Sequence, residues 1–104
     1  MTNASVLLDA LAEPTRRAIV ERLADHPSAV TDLARDLPIS RSAVSQHLQI
    51  LKSVGLVTDR AEGTRRVYQV DPDALAIIRG YFDSFWKRSL ASFEQAARQS
   101  EDKP

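Results

Sequence analysis

Arg41, Ser42, Ser45, Gln46, Gln49 and Lys52 lie within SRSAVSQHLQILKSVGLV, residues 40–57. At helical spacing they gather on one face, clear of the apolar stripe of Val44, Leu48 and Leu51 at i, i+4 and i+7. Glu and Lys usually suffice on an outer helix face, whereas hydroxyls, carboxamides and a guanidinium can read hydrogen-bonding edges. Arg matches the two acceptors of guanine, Gln matches the adenine edge, and short Ser side chains let a helix axis approach a duplex closely. The chemistry implied is recognition in a groove. Ser40 is expected to cap the helix, where first-turn N–H groups favour a phosphate. His47 sits one position from the inner stripe and suits packing or phosphate contact better than base reading, but stays among the candidate DNA contacts.

Arg60, Arg65 and Arg66 form the second constellation, flanking Ala61-Glu62-Gly63-Thr64. Three arginines around one hairpin signal suit phosphate or minor-groove contact. Tyr68 reads as core packing with its hydroxyl at the edge.

These side chains need a scaffold. Residues 5–12 read as a short helix ended by Glu13-Pro14, and Pro14 suits the first position of a second helix running to about His26. Ala18, Ile19, Arg22 and Leu23 should face inward there, with Arg16, Arg17, Glu21 and Asp25 largely outside. Pro27-Ser28 breaks that helix. Thr31 is expected to cap the brief helix TDLARDL and joins the candidate DNA contacts. After the turn at Pro38-Ile39 comes the helix of residues 41–54, with Ala43 and Ile50 supporting its stripe and Gly55 ending it in a left-handed conformation.

The apolar period then changes. Residues 56–60 and 65–70 predict two strands of a hairpin, residues 56–70 in all. Asp71 or Asp73 caps a last helix over about 72–99, whose apolar residues Leu75, Ile78, Phe82, Phe85, Leu90, Phe93 and Ala97 make a heptad-like seam with one slip near Trp86. The fold class expected is mainly α with a β-hairpin wing, a winged helix-turn-helix of about five helices and a two-stranded wing. All 104 residues are read as one such domain: 1–13 an N-terminal dimerisation helix, 14–71 the core, 72–99 a C-terminal dimerisation helix, and 100–104 a frayed tail.

Charge supports this placement. The 14 Lys and Arg balance 14 Asp and Glu, which argues against an indiscriminate polyanion binder. From Arg41 to Arg66, however, five cations (Arg41, Lys52, Arg60, Arg65, Arg66) face two anions (Asp59, Glu62), a local excess of the kind a duplex needs. There are no cysteines, which excludes a disulfide framework, thiolate ligands and a cysteine nucleophile. No Gly-rich phosphate loop is present, and Asp25 beside His26 does not make a triad. We expect no enzyme and no cofactor. With no signal peptide in the first residues and no apolar run near the roughly 20 residues of a membrane helix, a cytoplasmic, nucleoid-associated protein is expected.

Ser42-Ala43-Val44-Ser45-Gln46-His47-Leu48, Leu51, Gly55-Leu56-Val57, Arg60, Gly63, Arg65-Arg66 and Tyr68 together resemble the signature of ArsR/SmtB-family bacterial transcriptional regulators. Leu11-Ala12-Glu13-Pro14-Thr15-Arg16-Arg17 and Ile19 resemble that family's opening segment, so the likeness covers roughly residues 5–71. Phe82, Phe85-Trp86 and Leu90 resemble a metal-independent subgroup. The resemblance implies a homodimeric repressor on an inverted-repeat operator, released by some effector. Its thiolate metal site would fall around Ala29, Val30 and Thr31, and its zinc-type site at Asp71, Asp73, Ser84 and Lys87. The first lacks cysteine, and the second offers a serine and an opposing lysine, so neither known metal site is expected.

One reading helix rarely gives tight, selective binding, whereas two related by symmetry do. The expected dimer seam comprises Val6, Leu7, Leu8 and Leu11 with Leu75, Ile78, Tyr81, Phe82, Phe85, Trp86, Leu90 and Phe93, more apolar area than so short a chain could easily cover. Two other possibilities stay open at this point. The same fold could serve as a protein-interaction module without DNA binding, and a small-molecule effector could lodge near Trp86 and Tyr81.

Overall fold

Two acceptor side chains open the first two helices in the same way. Asn3 Oδ1 accepts the Val6 N–H at 3.1 Å and starts α1 (Ala4–Ala12). Glu13 Oε2 accepts the Arg16 N–H at 2.7 Å and starts α2 (Pro14–Asp25), with Pro14 where a missing N–H costs nothing. The computed structural model describes residues 3–101. Arg16, expected outside, instead folds back: its Nε donates to the Ala10 carbonyl at 2.9 Å, while Arg17 reaches the Leu11 carbonyl at 3.3 Å. Both occupy carbonyls that the end of α1 leaves without helical partners.

Beyond Pro27 the chain forms a strand that sequence reading did not anticipate, β1 (Ser28–Ala29), and then α3 (Val30–Asp36). Thr31 is not the cap of α3 but an exposed residue of its first turn. The N-cap position is Ala29, whose own N–H donates to Asp32 Oδ2 at 3.2 Å. Ser40 does cap α4 (Arg41–Ser53), accepting the Ala43 N–H at 3.1 Å.

The exit from α4 is tightly made. Gly55 takes φ = 85°, its N–H donates to the Lys52 carbonyl at 3.1 Å, and the Leu56 N–H donates to the Leu51 carbonyl at 3.0 Å. This is the paired-bond ending that a left-handed glycine permits, closed by the fully buried Leu51 and Leu56. The wing follows at once as β2 (Val57–Glu62) and β3 (Arg65–Val70), antiparallel from Val57↔Val70 to Glu62↔Arg65. Gly63, with φ = 63°, and Thr64 form its two-residue turn. β3 also pairs with β1, giving a three-stranded sheet in the order β1-β3-β2.

The core joins Leu7 of α1, Ile19 and Leu23 of α2, Leu33 of α3, Val44, Leu48 and Leu51 of α4, and Leu56, Val57 and Tyr68 of the wing. Val20 is buried in α2 where Arg22 was expected to face inward; Arg22 instead pairs with Asp36 at 2.5 Å. Ile50, expected to support the α4 stripe, is 43% exposed because it lies off the Val44–Leu48–Leu51 arc. Leu7 is likewise corrected: it is fully buried in the chain's own core, which removes it from any seam with a second copy. Ile78 packs partly on the same core.

α5 (Pro72–Glu101) begins with Asp71 Oδ1 accepting the Asp73 N–H at 2.9 Å and packs against α1. Its only buried residue is Ala74, and every described residue after Ile78 is exposed. The helix runs without a break through the expected slip. Leu75, Phe82, Trp86, Leu90 and Phe93 follow one another at steps of seven, four, four and three residues, a single stripe that includes Trp86. Ser100 and Glu101, expected to fray, are helical, and the rest of that segment lies outside the described residues. The overhanging helix stretches the molecule to 72 × 27 × 21 Å with a radius of gyration of 19.0 Å. A compact chain of this length would have about 13 Å.

Candidate nucleic-acid interface

α3 and α4 are joined by residues 37–40, where the partly buried Leu37 and Ile39 anchor the turn to the core. With the inner face of α4 fixed by three fully buried side chains, its other side is forced outward. Arg41, Ser42, Ser45, Gln46, Gln49 and Lys52 are all exposed there and form the expected ridge. Arg41 has no ion-pair partner among the described residues, whereas Lys52 Nζ lies 2.9 Å from Asp59 Oδ1. Ser40 stands at the foot of the ridge with its oxygen already accepting a backbone N–H.

His47 points elsewhere. Its Nδ1 is buried, has no hydrogen-bond partner among the described residues and sits 3.9 Å from Glu13 Oε2, at the start of α2. The imidazole fills the joint between α2 and α4, apart from the ridge.

Strand alternation divides the wing arginines between the two faces of the hairpin. Arg66 shares a face with Asp59 and Tyr68, and its Nε lies 2.9 Å from Asp59 Oδ2. Arg65 and Arg60 lie on the other face. Arg65 is paired with Asp32 of α3, while Arg60 donates to Gln69 Oε1 at 3.0 Å and lies 3.4 Å from Glu62. Thr31, Thr64, Arg65, Arg66 and Tyr68 line a cleft between the start of α3 and the wing tip, so the outlying candidate Thr31 meets the wing there.

Two carboxylates thus tie the wing down, and sequence reading singled out neither as functional. Asp59 is 8% exposed at its side chain and bridges α4 to β3. The Lys52 ammonium and the Arg66 guanidinium hold its carboxyl below the ordinary value of 3.8, against an opposing push from burial. Asp32 is lowered chiefly by the Ala29 N–H that it accepts, with Arg65 and Arg35 adding to the effect. A local excess of cations next to isolated acids was the one available signal, and composition alone does not say which pairs form.

The residues at the positions of the two metal-site types differ in their surroundings. Ala29 is a strand residue paired with Val67, Asp71 caps α5, and Ser84 and Lys87 are exposed on the overhanging part of that helix. Among the described residues, no helix is long and apolar enough to cross a membrane.

Two helices joined by a short turn, the second presenting a polar ridge beside a β-hairpin, define a winged helix-turn-helix protein. The family model for bacterial regulatory proteins of the arsR family matches residues 13–59. The chain is 63% identical over 86 residues to the HTH-type transcriptional regulator Rv2034 of Mycobacterium tuberculosis strain H37Rv, covering 83% of this chain and 80% of that one. It is 41% identical over 75 residues to the transcriptional repressor SmtB of the same strain, covering 72% of this chain and 56% of the relative. Among solved structures, the homodimeric winged helix-turn-helix DNA-binding domain of Mb0332 from Mycobacterium bovis matches with a TM-score of 0.65 and 31% identity, over 80% of this chain and 77% of that one. The chain belongs to the ArsR family of transcriptional regulators, a family of regulators and not of enzymes.

Proposed function

We propose that this regulator is a homodimer that binds double-stranded DNA sequence-specifically at an inverted-repeat operator and represses by occluding a promoter. The observation that carries the proposal is the exposed ridge of Arg41, Ser42, Ser45, Gln46 and Gln49 on the second helix of the pair, beside a wing with three arginines. α4 enters the major groove, the ridge reads base edges, and Arg60, Arg65, Arg66 and Thr31 meet phosphate or the minor groove. A dimer fits the exposed stripe of α5, where Trp86 and Phe93 are 67% and 72% exposed, and the homodimeric relative supports the same assembly. The similarity to a repressor supports the sign of regulation. Two ridges set about 34–36 Å apart would meet successive turns of one duplex face. The site of action is the cytoplasm, on the nucleoid, and any small-molecule effector would lodge near Tyr81 and Trp86.

Selection of bound duplexes from a random pool should return a near-palindrome with half-sites one helical turn apart, or a multiple of it. Affinity for that duplex should fall steeply as salt rises, because phosphate contacts release counterions. A flat salt response would remove the phosphate contacts. The large aromatic surface of α5 favours a second reading, a protein-interaction module without DNA binding; that alternative predicts no selected sequence and little salt dependence.

A further inference from the structure

Between the ridge and the wing lie five cations, and four of them already face a carboxylate. Lys52 and Arg66 each lie 2.9 Å from Asp59, Arg60 lies 3.4 Å from Glu62, and Arg65 is bound to Asp32. Asp59 and Asp32 differ from Glu62 in reaching across the fold. Asp59 connects β2 to α4 and β3, and Asp32 connects α3 to β3, so the wing is pinned to both helices of the pair from its two faces.

A carboxylate oxygen offers a guanidinium or ammonium much the same charge and acceptor geometry as a phosphate oxygen. A duplex arriving at this surface therefore meets donors already turned toward internal acceptors. These cations remain within reach, since the side chains of Lys52, Arg65 and Arg66 are 47%, 55% and 56% exposed. Phosphate can share or displace the carboxylates, but each exchange returns only a difference between two similar interactions. The ridge serines and glutamines face no such competition.

We infer that Asp32 and Asp59 are specificity-determining residues that compete with DNA phosphate for the wing and helix cations and so hold down binding to duplexes of arbitrary sequence. This rests on the DNA-binding function proposed above. Suppressing the phosphate contribution leaves base reading with a larger share of total affinity, which widens the gap between an operator and the rest of the genome.

The test uses the full chain and a labelled random-sequence duplex of about two helical turns, with anisotropy read across a salt series. Asp32→Asn keeps an oxygen for the Ala29 N–H, so a thermal melt near that of the parent is expected and its DNA data decide the matter; Asp59→Asn is a second variant expected to move in the same direction. Asp32→Asn should bind the random duplex about three- to tenfold more tightly at low salt, with the log–log salt slope steeper by about one unit, as one more phosphate contact requires. In an Arg65→Ala background the same substitution should give no gain. The inference is overturned if the parent binds DNA but Asp32→Asn leaves affinity and slope unchanged. It is also overturned if the gain survives without Arg65, since a general change in net charge would then explain it. If the parent binds neither the random duplex nor any selected one, the DNA-binding proposal fails first, and this inference fails with it.

Discussion

Gln46 and His47 are neighbours in sequence and point to different tasks. Gln46 is exposed on the ridge, whereas His47 buries Nδ1 beside Glu13. Replacing Gln46 with Ala should flatten the preference among selected duplexes at one or two positions, costing about 1–3 kcal/mol on the best site. Arg66→Ala should weaken all duplexes by similar factors; competition assays over a panel of single-base variants separate the two patterns. A uniform loss in Gln46→Ala would assign that residue to the backbone instead. Caps and stops were legible at this scale: Ser40 and Gly55 do what their types and positions announce. The pairing of Asp32 with Arg65 was not, because the partners lie 33 positions apart and any of several arginines could have met that acid.

Among the elements, α4 and the wing behave as one piece. Its apolar arc was plain from the sequence, and Leu48→Ala should cost about 2–5 kcal/mol by thermal or denaturant unfolding, since Leu48 is fully buried. Asp59 makes the same unit sensitive to acid. Its folded carboxyl titrates below the ordinary 3.8, so the stabilisation it brings is fully present above that value and is lost as pH falls through the lower, folded one. Glu13, Asp32 and Asp36 are shifted the same way and add to the effect. Melting temperatures measured from about pH 6 down to about pH 3 should therefore fall, and fall less steeply in Asp59→Asn. The strand β1 escaped notice for a simple reason: two residues cannot display an alternating pattern, and their place is fixed by pairing with β3.

At the level of the molecule, α5 poses the largest unsatisfied demand. Leu75, Phe82, Trp86, Leu90 and Phe93 keep one stripe, and beyond Ile78 the described residues leave it exposed. In the proposed homodimer, Phe82→Glu should shift the protein toward monomer in sedimentation velocity and, through loss of the paired helices, weaken binding to the proposed operator by orders of magnitude. The winged core should stay folded, since Phe82 is 51% exposed and outside it. The amphipathic character of this helix was legible, but its division between a short stretch on the chain's own core and a long exposed stripe was not. Leu7 shows why: apolar spacing marks a side chain for burial without saying whose surface will bury it.

Only three residues, Val54, Gly55 and Leu56, separate α4 from β2, and the backbone N–H of each donates back to a carbonyl of the helix just left. So short a hinge leaves the reading coil and its neighbouring ribbon almost no freedom to swivel independently. In the proposed homodimer, release from DNA would then come chiefly from tilting one rigid half against the other, altering the spacing of the two grips while each grip keeps its shape.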